Sequence, residues 1–149
     1  MKIQLVSDEE KAIAGYTTIN YIKSGLNNLQ SLSNNECEEI IATDILNSVP
    51  YNQIGNLIQG FITKLRFNGK LVLGGCDIRL FCRSIVNSTI SEEEGLQILQ
   101  NYRSMPPYNV INSLLTNLGL SIQSSIISGI FYEITAVRNK NELFKMYFC

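Results

Sequence analysis

Few side chains in this sequence are equipped for chemistry, and their types narrow what that chemistry could be. Histidine is absent, which removes the usual Ser/His and Cys/His couples together with most metal and haem sites, so no metal site is expected. Cys37, Cys76, Cys82 and Cys149 form no CxxC pair, and each is expected to be a buried free thiol in a reducing compartment. Asp, Glu, Lys, Tyr and Cys remain as acid–base groups. Asp77 is the most suggestive of them. It follows the apolar run Leu71-Val72-Leu73 and the pair Gly74-Gly75. A carboxylate there stands at the carboxyl end of a central strand, where it either orients a substrate or caps the helix that follows. The two glycines allow a close backbone approach or simply a bend.

The elements that must hold these residues alternate between short apolar runs and helical periods, which reads as strands interleaved with helices. Lys2 to Val6 is a first strand, Tyr16 to Tyr21 a weaker second one, and Glu38 to Thr43 a buried third. Between them Asn27 to Glu36, rich in Asn and Ser, reads as a long loop over one end of the sheet. A helix beginning near Pro50 places Ile54, Leu57, Ile58, Phe61, Ile62 and Leu65 on one face, and Asn68 and Gly69 stop it. Leu71 to Leu73 form the next strand. Ser91 with Glu94 makes a capping box for a further helix whose inner side is Ile98, Leu99 and Tyr102. Another helix follows Pro106 and Pro107, carries Val110, Ile111, Leu114, Leu115 and Leu118, and ends at Gly119. Leu120 to Ile127 and Ile130 to Arg138, separated by Ser128 and Gly129, read as an antiparallel hairpin, because so short a connection cannot carry a parallel crossover. The predicted class is therefore α/β, a Rossmann-like, doubly wound, mostly parallel sheet with a C-terminal antiparallel hairpin.

A chain of 149 residues with 45% apolar and 17% charged residues fits one domain, here residues 1–140, followed by an apolar tail at 141–149. That tail, Glu142-Leu143-Phe144-Lys145-Met146-Tyr147-Phe148-Cys149, is expected to pack on its own domain or on a partner. A net charge of −1 with scattered Lys and Arg leaves no electrostatic footprint for nucleic acid. No stretch is apolar enough for a signal peptide or a membrane span, so the protein is expected to be soluble and cytoplasmic. Abundant Ile and Asn with little Ala would follow from an AT-rich genome, such as that of a symbiont, a marine bacterium or a phage. A phage protein would sit in the host cytoplasm or the virion.

The order of these pieces resembles the small class I S-adenosylmethionine-dependent methyltransferases. The run Glu38-Glu39-Ile40-Ile41-Ala42-Thr43-Asp44-Ile45-Leu46-Asn47-Ser48-Val49-Pro50 is similar to that family's acidic strand and following turn. After the helix, Leu65-Arg66-Phe67-Asn68-Gly69-Lys70-Leu71-Val72-Leu73 and Cys76-Asp77 match its "Lkp-G-G" turn and a strand ending in "PD". Met1 to Ile22 resembles the family's opening "MKLNLGCG…GYINVDI", and Tyr108 to Gly119 its "lLeeaGF" helix. The resemblance implies a cofactor-binding site formed by Val6, Ser7, Gly15 and Asn20, with Asp77 or Asp44 near a methyl acceptor. It also places the polar segment Asn27 to Glu36 beside the adenine.

The departures are concentrated at that site. The family's first strand runs into a glycine-rich turn, whereas this chain has Val6-Ser7-Asp8-Glu9-Glu10-Lys11. Glycine there lets the backbone approach the cofactor without an intervening Cβ. The acidic residue that would accept from both ribose hydroxyls is Asn20, which lacks a carboxylate's charge-assisted strength. Asn47 and Ser48 stand where the family has "EH". Gly15 contacts a ligand or fills a turn before the second strand. Asp8, Glu9 and Glu10 face a cationic sulfonium or complement a helix dipole. Two functional readings follow. In one, the protein keeps the fold without the cofactor and serves as an interaction or structural subunit, with a protein partner or a second copy. In the other, it is a divergent but active S-adenosylmethionine-dependent methyltransferase. In the first reading the cleft is narrowed or filled by side chains, with Asn20 turned to solvent or to a local backbone group.

Overall fold

The structure, a computed structural model, describes residues 1–7, 12–20 and 27–139. Its strands are β1 (Lys2–Val6), β2 (Thr17–Asn20), β3 (Cys37–Ala42), β4 (Leu65–Cys76), β5 (Leu120–Ser128) and β6 (Phe131–Arg138). Its helices are α1 (Asn27–Gln30), α2 (Ile54–Lys64), α3 (Ile78–Val86), α4 (Glu92–Asn101) and α5 (Tyr108–Asn117). The strands form a single six-stranded sheet in the order β2-β1-β3-β4-β6-β5. Neighbours from β2 to β4 run parallel, while β6 is antiparallel to both β4 and β5. The α/β class, the mostly parallel sheet and the closing hairpin are those the sequence predicts. The chain steps from β1 to β2 on one side and builds β3 and β4 on the other, so the topological switch lies between β1 and β3.

Burial explains why these elements persist. α2 turns Ile54, Leu57, Ile58, Phe61 and Ile62 inward, and they join Ile3, Leu5, Ile40, Leu71, Leu73 and Ile134 in one core. Each such side chain contributes about 1.5–3 kcal/mol of transfer free energy when removed from water. At the far end of α2 the Arg138 guanidinium donates to the carbonyls of Ile62 and Leu65 at 3.0 and 2.6 Å and stacks over Phe67. These bonds add a side-chain donor to carbonyls at the junction where α2 gives way to β4.

Several boundaries differ from expectation for identifiable reasons. α2 begins at Ile54, because Pro50 leads into a 3-10 turn, Tyr51–Gln53, rather than directly into the helix. The helix ends at Lys64 and β4 starts at once. Asn68 (φ 64) and Gly69 absorb an irregularity within the strand instead of stopping a helix, and the register jumps from Cys37↔Leu65 to Glu39↔Lys70. A Cβ at Gly69 would lie 2.7 Å from the Arg66 carbonyl. The segment expected to be wholly loop contains α1. On α4 the Ser91 hydroxyl accepts from the Glu94 amide as anticipated, but Leu99 is 48% exposed and Gly95 is the buried residue of that helix. Val110 on α5 is likewise exposed, whereas Ile111 and Leu115 are buried. The hairpin turn is Gly129-Ile130, with Gly129 at φ 63. Asp8, Glu9, Glu10, Tyr21 and the tail from Glu142 lie outside the described residues.

Cys37 and Cys76 are buried free thiols, but Cys82 is exposed on α3. Among the described residues no cluster of His, Cys, Asp or Glu could hold a metal ion, and no helix is long and apolar enough to cross a membrane.

Candidate functional site

The carboxyl ends of β1, β3 and β4 converge on one cavity of about 390 Å³, whose lining includes Ser7, Asp44, Asn47, Gly75, Tyr102 and Phe131. Ser7 is the first residue past β1 and Asp44 the second past β3, so the two stand on either side of the topological switch. They are joined directly. The Ser7 hydroxyl donates to Asp44 Oδ2 at 2.8 Å, and the Ser7 amide approaches the same oxygen at 3.4 Å.

The floor of the cavity is built by Asn47, which is 4% exposed. Its Nδ2 donates to the carbonyls of Cys76 (3.3 Å) and Ser104 (3.0 Å), and its Oδ1 accepts from the Cys76 amide at 3.0 Å. The Asn47 carbonyl in turn accepts from the Arg103 amide, while the Ser104 hydroxyl donates to the Val49 carbonyl. One buried carboxamide therefore ties the turn after β3, the end of β4 and the linker after α4 into a single unit. A buried amide with all these partners is stabilising, and with one removed it would be costly. Beside it, a Cβ on Gly74 would sit 2.9 Å from the Thr43 carbonyl and 3.0 Å from that of Tyr132. Close backbone approach, not a simple bend, is what that glycine permits.

Asp77 is 4% exposed and its carboxylate is engaged on both oxygens. Oδ1 accepts from the amides of Arg79 (2.7 Å) and Leu80 (3.1 Å), and Oδ2 accepts from the Tyr108 amide at 2.7 Å. It caps α3, as one of its two sequence readings has it, and in addition holds the first residue of α5. Asp77 lines a separate, smaller cleft of about 220 Å³ with Arg79, Arg83 and Tyr108, so the two candidate catalytic aspartates do not share a cavity.

Of the four residues expected to hold a cofactor, the structure gathers three. Val6 is paired in register with Asn20 at the carboxyl ends of β1 and β2, and Ser7 follows Val6. Asn20 is half-buried and does not line the cavity. Gly15 lies two residues before β2, at its amino end. It has φ 89, sits within the turn closed by the Tyr16 amide on the Ile13 carbonyl, and its Cβ position meets nothing within 4 Å. The polar segment expected near the cleft also goes to the other end of the sheet. Asn35 and Glu36 donate their amides to the carbonyls of Thr63 and Lys64, and Lys64 Nζ reaches the Leu32 carbonyl at 2.7 Å. That segment precedes β3, so it packs at the amino ends of the parallel strands.

Burial shifts three groups near the site, among them the Tyr102 phenol on the cavity wall, which it raises. It raises the Cys76 thiol to about 11, with the neighbouring Asp77 charge adding to the effect, and it raises the Tyr132 phenol well above its ordinary range. Tyr132 donates to the Pro106 carbonyl at 3.0 Å, which fixes the linker between α4 and α5.

The sheet order, the switch between β1 and β3 and the reversed hairpin define the class I methyltransferase fold. Solved structures agree. The chain is similar to a SAM-dependent methyltransferase from Archaeoglobus fulgidus, with a TM-score of 0.58 at 10% identity, covering 91% of this chain and 75% of that one. It is similar to the N-methyltransferase NodS from Bradyrhizobium japonicum, with a TM-score of 0.56 at 12% identity over 93% of this chain and 74% of that one. Magnesium protoporphyrin IX methyltransferase from Synechocystis, solved with bound SAH, gives 0.55 at 15% identity, and the chain spans 56% of its length. No family model and no curated protein sequence matches the chain.

Proposed function

We propose that this chain is a methyltransferase-fold protein that has given up S-adenosylmethionine and acts as an interaction or structural subunit. The observation that carries the reading is the Ser7–Asp44 hydrogen bond, 2.8 Å long, across the topological switch. Ligands of open α/β sheets enter between the carboxyl ends at that switch, so a side-chain bridge there narrows the entry a cofactor would use, beside the cavity that remains. The described residues do not fit the cofactor in the manner that the family resemblance implies. A residue with a Cβ replaces the turn glycine, an amide replaces the ribose-binding carboxylate, and Gly15 stands at the opposite end of β2. The composition remains compatible with a phage source. Titration calorimetry with S-adenosylmethionine and S-adenosylhomocysteine tests the reading, which requires the absence of tight binding for both.

One observation favours the alternative of an active, divergent methyltransferase. The cavity beside Ser7 and Asp44, about 390 Å³, falls within the size range of small-molecule sites. In that case Asp44 is the better placed of the two aspartates, because both oxygens of Asp77 already serve backbone amides. Proximity and orientation would supply most of the rate enhancement. Methyl transfer to any acceptor from radiolabelled cofactor would decide for this second reading.

A further inference from the structure

We infer that the outer edge of β5 is a docking surface for a second copy of this chain, the two β5 strands pairing antiparallel about a two-fold axis at Ile126. β5 is the last strand of the sheet, nine residues long, and among the described residues its only strand partner is β6. Its outer row of N–H and C=O groups is complemented only by another extended backbone. The usual protections of such an edge are largely missing. Leu120-Ser121-Ile122-Gln123-Ser124-Ser125-Ile126-Ile127-Ser128 contains neither a charge nor a proline, and Ile126 and Ile127 are 60% and 50% exposed. The one protection present is a bulge between Ile122 and Ser124, which leaves Ser124–Ser128 in regular register with β6. That regular stretch is centred on Ile126.

Self-complementarity without charge favours a second copy as the occupant. A neutral strand meets its own duplicate without repulsion, and a two-fold antiparallel pairing is isologous and closes on itself. About Ile126 the axis sets Ser124 opposite Ser128 and Ser125 opposite Ile127 of the other copy, with Ile126 facing its counterpart. The nearest acidic group level with the axis is Glu133, which faces Ile126 across β6. The two Glu133 side chains of the dimer would be three strand spacings apart, about 14 Å, beyond the screening length at physiological salt. The edge strand is the third out from β3, with β4 and β6 between them, so the pairing stands or falls independently of cofactor binding.

Light scattering on the full chain at about 100 µM should give twice the monomer mass of 16.7 kDa. Ile126→Lys, which sets two ammonium groups directly opposite each other, should return it to a single chain with unchanged circular dichroism. Should that variant misfold, Ile126→Cys provides an independent readout in a chain with Cys82 and Cys149 replaced by serine. Paired strands bring opposed Cα atoms to about 4.5–5.5 Å, within disulfide reach, so mild oxidation should crosslink Ile126→Cys but not Ser121→Cys. A monomer at that concentration, a dimer that survives Ile126→Lys, or crosslinking equal at both positions would overturn the proposal. A monomer whose β5 amides resist hydrogen exchange would overturn it too, because the edge would then be covered by its own chain.

Discussion

The hydroxyl of Ser7 and the carboxylate of Asp44, 37 positions apart in sequence, are joined by a 2.8 Å hydrogen bond at the mouth of the sheet. One residue leaves β1 and the other leaves β3, so the bond links the two loops that diverge from these paired strands at the switch. Ser7 is only half-buried, and a half-buried hydrogen bond to a charged group contributes about 1–2 kcal/mol. Ser7→Ala is therefore expected to lower stability by about that amount in urea unfolding, with Asp44→Asn costing less because its amide still offers an oxygen to the hydroxyl. No change in either variant would mean that the bridge does not hold the cleft.

Asp77 is expected to matter for folding rather than for catalysis. Its carboxylate accepts from three amides at the starts of two helices. Asp77→Ala strands those donors in a buried site and should cost about 3–4 kcal/mol, a fall in Tm of roughly 10 °C. Asp77→Asn should fall between, since one oxygen remains. Thermal unfolding followed by circular dichroism checks both, and a loss under about 1 kcal/mol for Asp77→Ala would contradict the capping role.

Asn47 should be less replaceable than its size suggests. Its amide donates to two carbonyls and accepts from one amide. Asn47→Asp keeps the shape but turns a donor into an acceptor against the Cys76 and Ser104 carbonyls. It should destabilise at neutral pH by about 3 kcal/mol or more and do so less under acid conditions, where the carboxyl regains a proton. Denaturant midpoints at both pH values measure the difference.

Alkaline stability follows from the buried groups. The Cys76 thiol is raised from 9.0 to about 11, and the Tyr132 phenol is raised from 10.0. A group whose folded pKa exceeds its unfolded value adds stability that is complete below the unfolded pKa and lost as pH rises through the folded one. Stability should therefore hold up to about pH 9 and then decline through about pH 11. Tyr132→Phe, which forfeits the bond to the Pro106 carbonyl, should be less stable at neutral pH yet show a shallower alkaline decline. Melting curves collected across that range provide the comparison.

Local patterns in the sequence carried the architecture well. The inward face of α2 at Ile54, Leu57, Ile58, Phe61 and Ile62 is a helical period that packing only had to accept. The short glycine-containing link before Phe131 allowed nothing but a hairpin. Errors arose where a local signal had two meanings. Asn68 and Gly69 look like a helix stop but serve an irregular strand, since left-handed residues suit both. Leu99 follows the period of its helix, yet periodicity cannot say whether anything covers that face. Gly95 is buried there against Ile85, whose Cδ1 would lie 2.5 Å from an added Cβ, a contact that no local pattern announces. The site was the least legible part. Asn47 reaches partners 29 and 57 positions away, and the Ser7–Asp44 bond depends on strands being adjacent that are not consecutive.

On the proposed reading, the cleft beside Ser7 and Asp44 does not take S-adenosylmethionine. Titration calorimetry of the full chain with S-adenosylmethionine and then with S-adenosylhomocysteine decides the matter. The expected result is no binding tighter than about millimolar, a free energy near −4 kcal/mol. A micromolar dissociation constant for either ligand, about −8 kcal/mol, would contradict it and assign the cavity beside Ser7 and Asp44 to a working methyltransferase.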